Sequence, residues 1–68
     1  MFYTTIHDLV RKAAAADGVS IEALLKAHGI AKATYYWRLK HGGSWRSNEI
    51  KALAFITGKR TIEILDLL

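Results

Sequence analysis

SIEALLKAHGIAKATYYWRLKHG, residues Ser20 to Gly42, is the stretch on which the reading of this chain turns. It divides at Gly29 into two short helices. Ser20 has the hydroxyl to cap the first helix, and Val19 and Leu24 stand where a hydrophobic staple places its two apolar residues. Gly29 ends that helix, because glycine takes a positive φ without steric cost and lets the chain reverse within a few residues. The second helix is expected from about Lys32 to Lys40, closing at Gly42 and Gly43. It carries Lys32, Arg38 and Lys40 with Tyr35, Tyr36 and Trp37 among them. Two short helices about a glycine turn are the layout of a helix-turn-helix.

Outward from this stretch the pattern stays helical. Before it, Ile6, Leu9, Val10, Ala13 and Ala14 follow helical spacing, Thr5 and Asp8 form a capping-box pattern, and Asp17-Gly18 marks the end. His7, Arg11 and Lys12 fall on the outer face. After it, Ser47 is in place to cap a helix that turns Ile50, Leu53, Ala54 and Thr57 inward and stops at Gly58. Thr61 then opens a short aliphatic helix, Ile62 to Leu68. Five of those seven residues are aliphatic, too many for one buried stripe. Either the helix lies in a groove, or Ile64, Leu67 and Leu68 leave a patch for a second copy or a partner. The chain lacks proline, has glycines at 18, 29, 42, 43 and 58, and shows no useful strand alternation. The expectation is an all-α, compact bundle of five short helices, residues 1–68 forming a single domain.

At 68 residues such a domain buries only about 60% of its unfolded surface, so its stability depends on tight helix packing. With no cysteine, disulfides, thiolate metal sites and thiol nucleophiles are excluded. No apolar run approaches membrane-spanning length, and the N-terminus lacks the order of a signal peptide. A cytoplasmic location is expected. The net charge of +4 is unevenly spread: residues 26–60 carry eight cations against Glu49 alone, a net of +7, whereas residues 1–25 net −1 and the last eight −2. Clustered cations suit a surface that meets phosphates, and equally a solvated basic face.

The order of these elements, with Ser20-Ile21-Glu22-Ala23-Leu24-Leu25, Gly29-Ile30, Thr34-Tyr35, Leu39-Lys40-His41-Gly42 and the spacing of Ile50 and Leu53, resembles the lambda-repressor-like DNA-binding domains of phage Cro and repressor proteins, the XRE type. The closing run Gly58, Thr61-Ile62-Glu63-Ile64-Leu65 looks like the family's final turn and helix. Two positions depart from the family pattern. Ala31 stands where a Ser or Thr usually caps the recognition helix, a loss of roughly 1 kcal/mol. Arg38 occupies a place more often apolar, which leaves Tyr35 and Leu39, at i and i+4, as the inward pair.

The resemblance implies a sequence-specific double-stranded DNA-binding regulator, phage or prophage encoded and acting in a bacterial host cell or its nucleoid. Its third helix would enter the major groove, and as a homodimer it would read a palindromic operator. Lys32, Ala33, Tyr36 and Trp37 would then face the bases: lysine donates to guanine O6 and N7, and alanine packs on a thymine methyl. Arg38, Lys40, His41, Ser44 and Arg46, with the helix starts at Ser20 and Ser47, would meet the DNA backbone. Plainer readings stand beside these. Lys32 also reads as a solvated lysine, Ala33 as a helix former, and Tyr36 and Trp37 as core packing; Trp45 reads as a wedge between loop and core or as a DNA contact. A different class keeps the fold but makes the chain a phage modulator or antirepressor that binds a repressor protein partner through Tyr36, Trp37 or the aliphatic tail. His7, His28 and His41 lack metal-ligand spacing, and the scattered Ser, His and Asp residues form no catalytic constellation. Neither an enzyme, a cofactor nor a metal is expected.

Overall fold

The computed structural model describes residues 2–41 and 44–67, so the expected closure at Gly42-Gly43 and the share of Leu68 in a tail patch lie outside the described residues. The helices are α1 (Phe2–Asp17), α2 (Ile21–Ala27), α3 (Lys32–Lys40), α4 (Ser47–Thr57) and α5 (Thr61–Leu67). The radius of gyration, 10.7 Å, is close to the ~11 Å of a packed chain this long.

Turn chemistry sets the corners. At the end of α1, Gly18 has φ 68°, its N–H donates to the Ala15 carbonyl at 3.2 Å, and Val19 N–H donates to the Ala14 carbonyl at 3.0 Å. At the end of α2 the same motif recurs: Gly29 has φ 77°, with Gly29 N–H to the Lys26 carbonyl at 3.0 Å and Ile30 N–H to the Leu25 carbonyl at 2.9 Å. Both are Schellman closures, which satisfy carbonyls the helix end would leave bare. The residue after the glycine sets them apart. Ile30 drops into the core against Leu25, whereas Val19 stays 44% exposed. Burying Ile30 therefore ties the α2–α3 corner to the core.

Helix starts depart from expectation in three places. The helix α1 begins at Phe2, so Thr5 is inside it and forms no capping box; Asp8 instead pairs with Arg11 one turn on, at 2.9 Å on an exposed face. Ser20 does cap α2, its Oγ accepting Ala23 N–H at 3.1 Å. In α4 the N-cap is Arg46 and Ser47 is the first helical residue, because Glu49 reaches back to take the Arg46 N–H at 2.8 Å. An arginine side chain has no acceptor to return the bond, so this is half of a capping box. Thr61 is likewise the first residue of α5 rather than its cap, with Glu63 accepting Arg60 N–H at 3.0 Å.

Each helix sends at least one side chain into the shared core. Ile6 and Val10 come from α1, Leu25 from α2, Tyr35 from α3, Leu53 from α4 and Ile64 from α5, all with essentially no solvent exposure. Ile64 therefore cannot belong to a surface patch. The short helix α5 packs against both α4 and α1, which centres its inward stripe on Ile64 and leaves Leu67 half-buried at the core edge. The exposed aliphatics of α5 are Ile62 and Leu65 instead. Among the described residues no helix is long and apolar enough to cross a membrane.

Candidate nucleic-acid interface

Consecutive helical residues point about 100° apart, so Tyr35, Tyr36 and Trp37 must diverge. Tyr35 is buried and shares a hydrogen bond of 3.1 Å with His7 Nδ1 of α1. Burial, with Tyr36 as a smaller contributor, pushes ionisation of the Tyr35 phenol well above the ordinary tyrosine range. His7 thus belongs to a half-buried joint rather than to the open outer face of α1. Tyr36 lies edge-on to Tyr35, with ring centroids 5.1 Å apart, and 5.8 Å from the His7 ring. One side of its ring is covered and 38% of the residue remains exposed. Trp37 is turned further out, at 50% exposure, with its indole against the His41 ring at 4.3 Å.

The outward side of α3 carries Lys32, Ala33, Tyr36, Trp37 and Lys40, all exposed. Their i, i+3 and i, i+4 spacings make them one continuous face. Ala33, Thr34, Trp37 and Arg38 line a shallow open depression along it. Lys32 Nζ stands 3.8 Å from Glu22 Oε2, with both side chains more than half exposed. Such a pair contributes little and is readily exchanged for another anion. It also shows that the first turn of α2, just after Ser20, lies beside the first turn of α3. Ala31 at the α3 N-cap makes no side-chain bond to the helix, although its backbone is extended as a cap requires.

Arg38 does not join the outward face. Its side chain is 14% exposed and its Nε donates at 3.0 Å to Glu49 Oε1, itself on a side chain 10% exposed. The same carboxylate oxygen takes the Arg46 N–H, so one atom ties the last turn of α3 to the first turn of α4 across the loop between them. The guanidinium carbon of Arg38 also sits 5.2 Å from the centre of the Trp37 ring, which backs the indole with a cation. In the loop, the Ser44 hydroxyl donates to the His41 carbonyl. Trp45 packs against the core with its ring 6.2 Å from Tyr35. His41, Arg46 and Ser47 are exposed and Ser44 half-buried, so these rim residues come directly after α3.

Two contributors escaped the sequence reading. Glu49 had a signal, being the lone carboxylate among eight cations in residues 26–60; a single acid in such a run needs a reason. The His7–Tyr35 bond, spanning 28 positions, had none. Among the described residues, no three His, Asp or Glu side chains gather closely enough to hold a metal ion. Searches of family models, curated proteins and solved structures found no match to this chain.

Proposed function

We propose that this chain is a sequence-specific, double-stranded DNA-binding regulator of the phage Cro and repressor kind. It would act in the bacterial cytoplasm by occupying an operator, without enzymatic activity or a cofactor. The observation that carries this reading is the exposed α3 face, Lys32, Ala33, Tyr36, Trp37 and Lys40, with Arg46 also exposed in the loop that follows it. An α-helix fits the major groove, and the first turn of α3 supplies the side chains that reach base edges. Lys32 exchanges Glu22 for guanine O6 and N7, Ala33 meets a thymine methyl, and Trp37 with the free side of Tyr36 packs on sugars and methyl groups. Lys40, His41 and Arg46 meet phosphates, with Ser44, Ser47 and Ser20 at the margins. Arg38 leaves the phosphate set because Glu49 holds it; its work is to keep α3 seated on α4. A homodimer would place two such helices about 34 Å apart on a palindrome.

Titration of a duplex selected from a random pool, at two salt concentrations, tests the reading. Each phosphate contact should steepen the dependence of log affinity on log salt by about 0.9. K40E should weaken all duplexes alike, whereas K32E should cost about 1–3 kcal/mol and relax preference at one base pair. Affinity indifferent to salt would sink the proposal.

The exposure of Trp37 and Tyr36 also supports a second reading, in which this face binds a repressor protein, since tryptophan and tyrosine are enriched at the hot spots of protein interfaces. The two part on a double replacement, K32E with K40E. Loss of DNA binding with partner binding retained favours the regulator, and the reverse favours the modulator.

A further inference from the structure

Phe55 is 79% open, the most exposed of the large apolar side chains whose burial is described, although Ala54 beside it is buried. The ring of His28, at the C-cap of α2, lies 5.3 Å from it. Lys51, one turn earlier on α4, together with Ala54, Phe55, Gly58, Lys59 and Arg60, lines a shallow groove between α4 and the start of α5. Gly58 turns the chain there with φ 71°, and a Cβ on it would meet nothing within 4 Å. None of the outward residues of α3 lines it.

All three charged side chains in the lining are cations. Arg60 is partly engaged by Glu63 at 3.3 Å, and among the described residues Lys51 and Lys59 have no ionic partner. An exposed aromatic ring beside His28 and flanked by three cations, two of them without an ionic partner among the described residues, is complementary to an acidic segment that also carries an apolar side chain. A duplex would set hydrated phosphates against a ring that offers them no hydrogen bond. A second copy of the chain matches less well, because among the described residues Asp8, Glu22, Glu49 and Glu63 each already face a cation, which leaves Asp17 and Asp66 of the six Asp and Glu side chains.

We propose that the Phe55 groove docks an acidic segment of a different protein, with an apolar side chain seated on Phe55 and carboxylates on Lys51, Lys59 and Arg60. This surface is separate from the α3 face and does not depend on DNA binding. An exposed aromatic supplies contact area at little ordering cost, and the cations choose the sign of what approaches.

The test uses the full isotope-labelled chain and a synthetic peptide of about ten residues, rich in Asp and Glu with one central Leu. Three controls accompany it: the same peptide with Asp and Glu made Asn and Gln, the same peptide with the Leu made Ser, and an oligothymidylate of equal charge. Amide shifts are expected to centre on residues 51–61. F55S, an exposed replacement whose folding the same spectrum checks, should weaken binding about tenfold or more, as should K51E with K59E. W37A should leave it unchanged. Equal binding by either altered peptide overturns the proposal, as do shifts centred on α3. So does Phe55-dependent binding of the oligothymidylate in preference to the acidic peptide, which would make the groove a stacking site for single strands. Sedimentation showing a dimer that F55S dissociates overturns it too, the occupant then being a second copy.

Discussion

The starts of α4 and α5 are written in one pattern, Arg46-Ser47-Asn48-Glu49 and Arg60-Thr61-Ile62-Glu63, yet they do different work. In both, the glutamate three residues on accepts the arginine's backbone N–H, at 2.8 Å and 3.0 Å. In α4 the same carboxylate also receives Arg38 from α3, and the pair is largely withdrawn from solvent. In α5 it receives the Nε of its own Arg60, on a surface where that arginine side chain is 82% exposed. The local bond is the same; the partner and the solvent around it differ. A motif four residues long therefore sets where a helix begins, while the chain's packing decides whether that beginning joins two helices or trims one.

The largest effect should come from breaking the buried joint. E49A leaves Arg38 partly buried without its counter-ion, and R38A does the converse, each costing about 3 kcal/mol. A chain this size has only ~3–10 kcal/mol in all, so urea unfolding of either variant should show a greatly lowered midpoint. R38M with E49L, which replaces the pair by apolar side chains, should recover most of that loss. If E49A and E63A behaved alike in urea, the contrast between the two helix starts would be wrong.

The other buried joint gives a smaller and separately readable effect. Y35F keeps the ring and removes the partner of His7, a loss of about 1 kcal/mol. Because burial raises the Tyr35 ionisation, the unfolded chain ionises first: stability is untouched below about pH 10 and declines as pH climbs toward the folded-state value. Y35F should lose that part of the alkaline decline, measured by thermal unfolding across the alkaline range.

The comparison extends to α3, which has an extended N-cap backbone at Ala31 but no cap bond. A31S should add about 1 kcal/mol, read as a raised unfolding temperature; no gain would mean that the corner, not the missing hydroxyl, limits this helix. The smallest effect belongs to Glu63. The Arg60 backbone N–H, then the Arg60 side chain, hold its carboxyl below the ordinary 4.5. Its contribution is present above that value and disappears as pH falls through the lowered one. A carbon-detected titration should put its midpoint below 4.5, and E63Q should move the unfolding temperature only slightly.

Much of the fold was readable because its signals are short-range. Gly18, Gly29 and Gly58, the Ser20 cap, the Lys32–Lys40 span and the inward Tyr35 and Leu39 all arise from periodicity and turn chemistry within one or two helical turns. The first residue of α4 and of α5 was misplaced because Ser and Thr are stronger caps than Arg. A glutamate at the third position outweighed that preference. In the candidate site, the outward placement of Lys32, Ala33, Tyr36 and Trp37 was legible from spacing, whereas the withdrawal of Arg38 was not.

The sequence by itself determined the order of the helices, the corners at Gly18, Gly29 and Gly58, the placement of positive charge in residues 26–60 and the side of α3 that faces out. Tertiary structure alone decided that Arg38 is bound inward by Glu49, that His7 meets Tyr35, that Ile64 is core while Ile62 and Leu65 are not, and that Phe55 stands open beside three cations. The physical reason is range. Backbone turns and side-chain periodicity act over a few residues, but the partners of Arg38 and His7 lie 11 and 28 positions away, and only the packing of one helix on another brings them into contact.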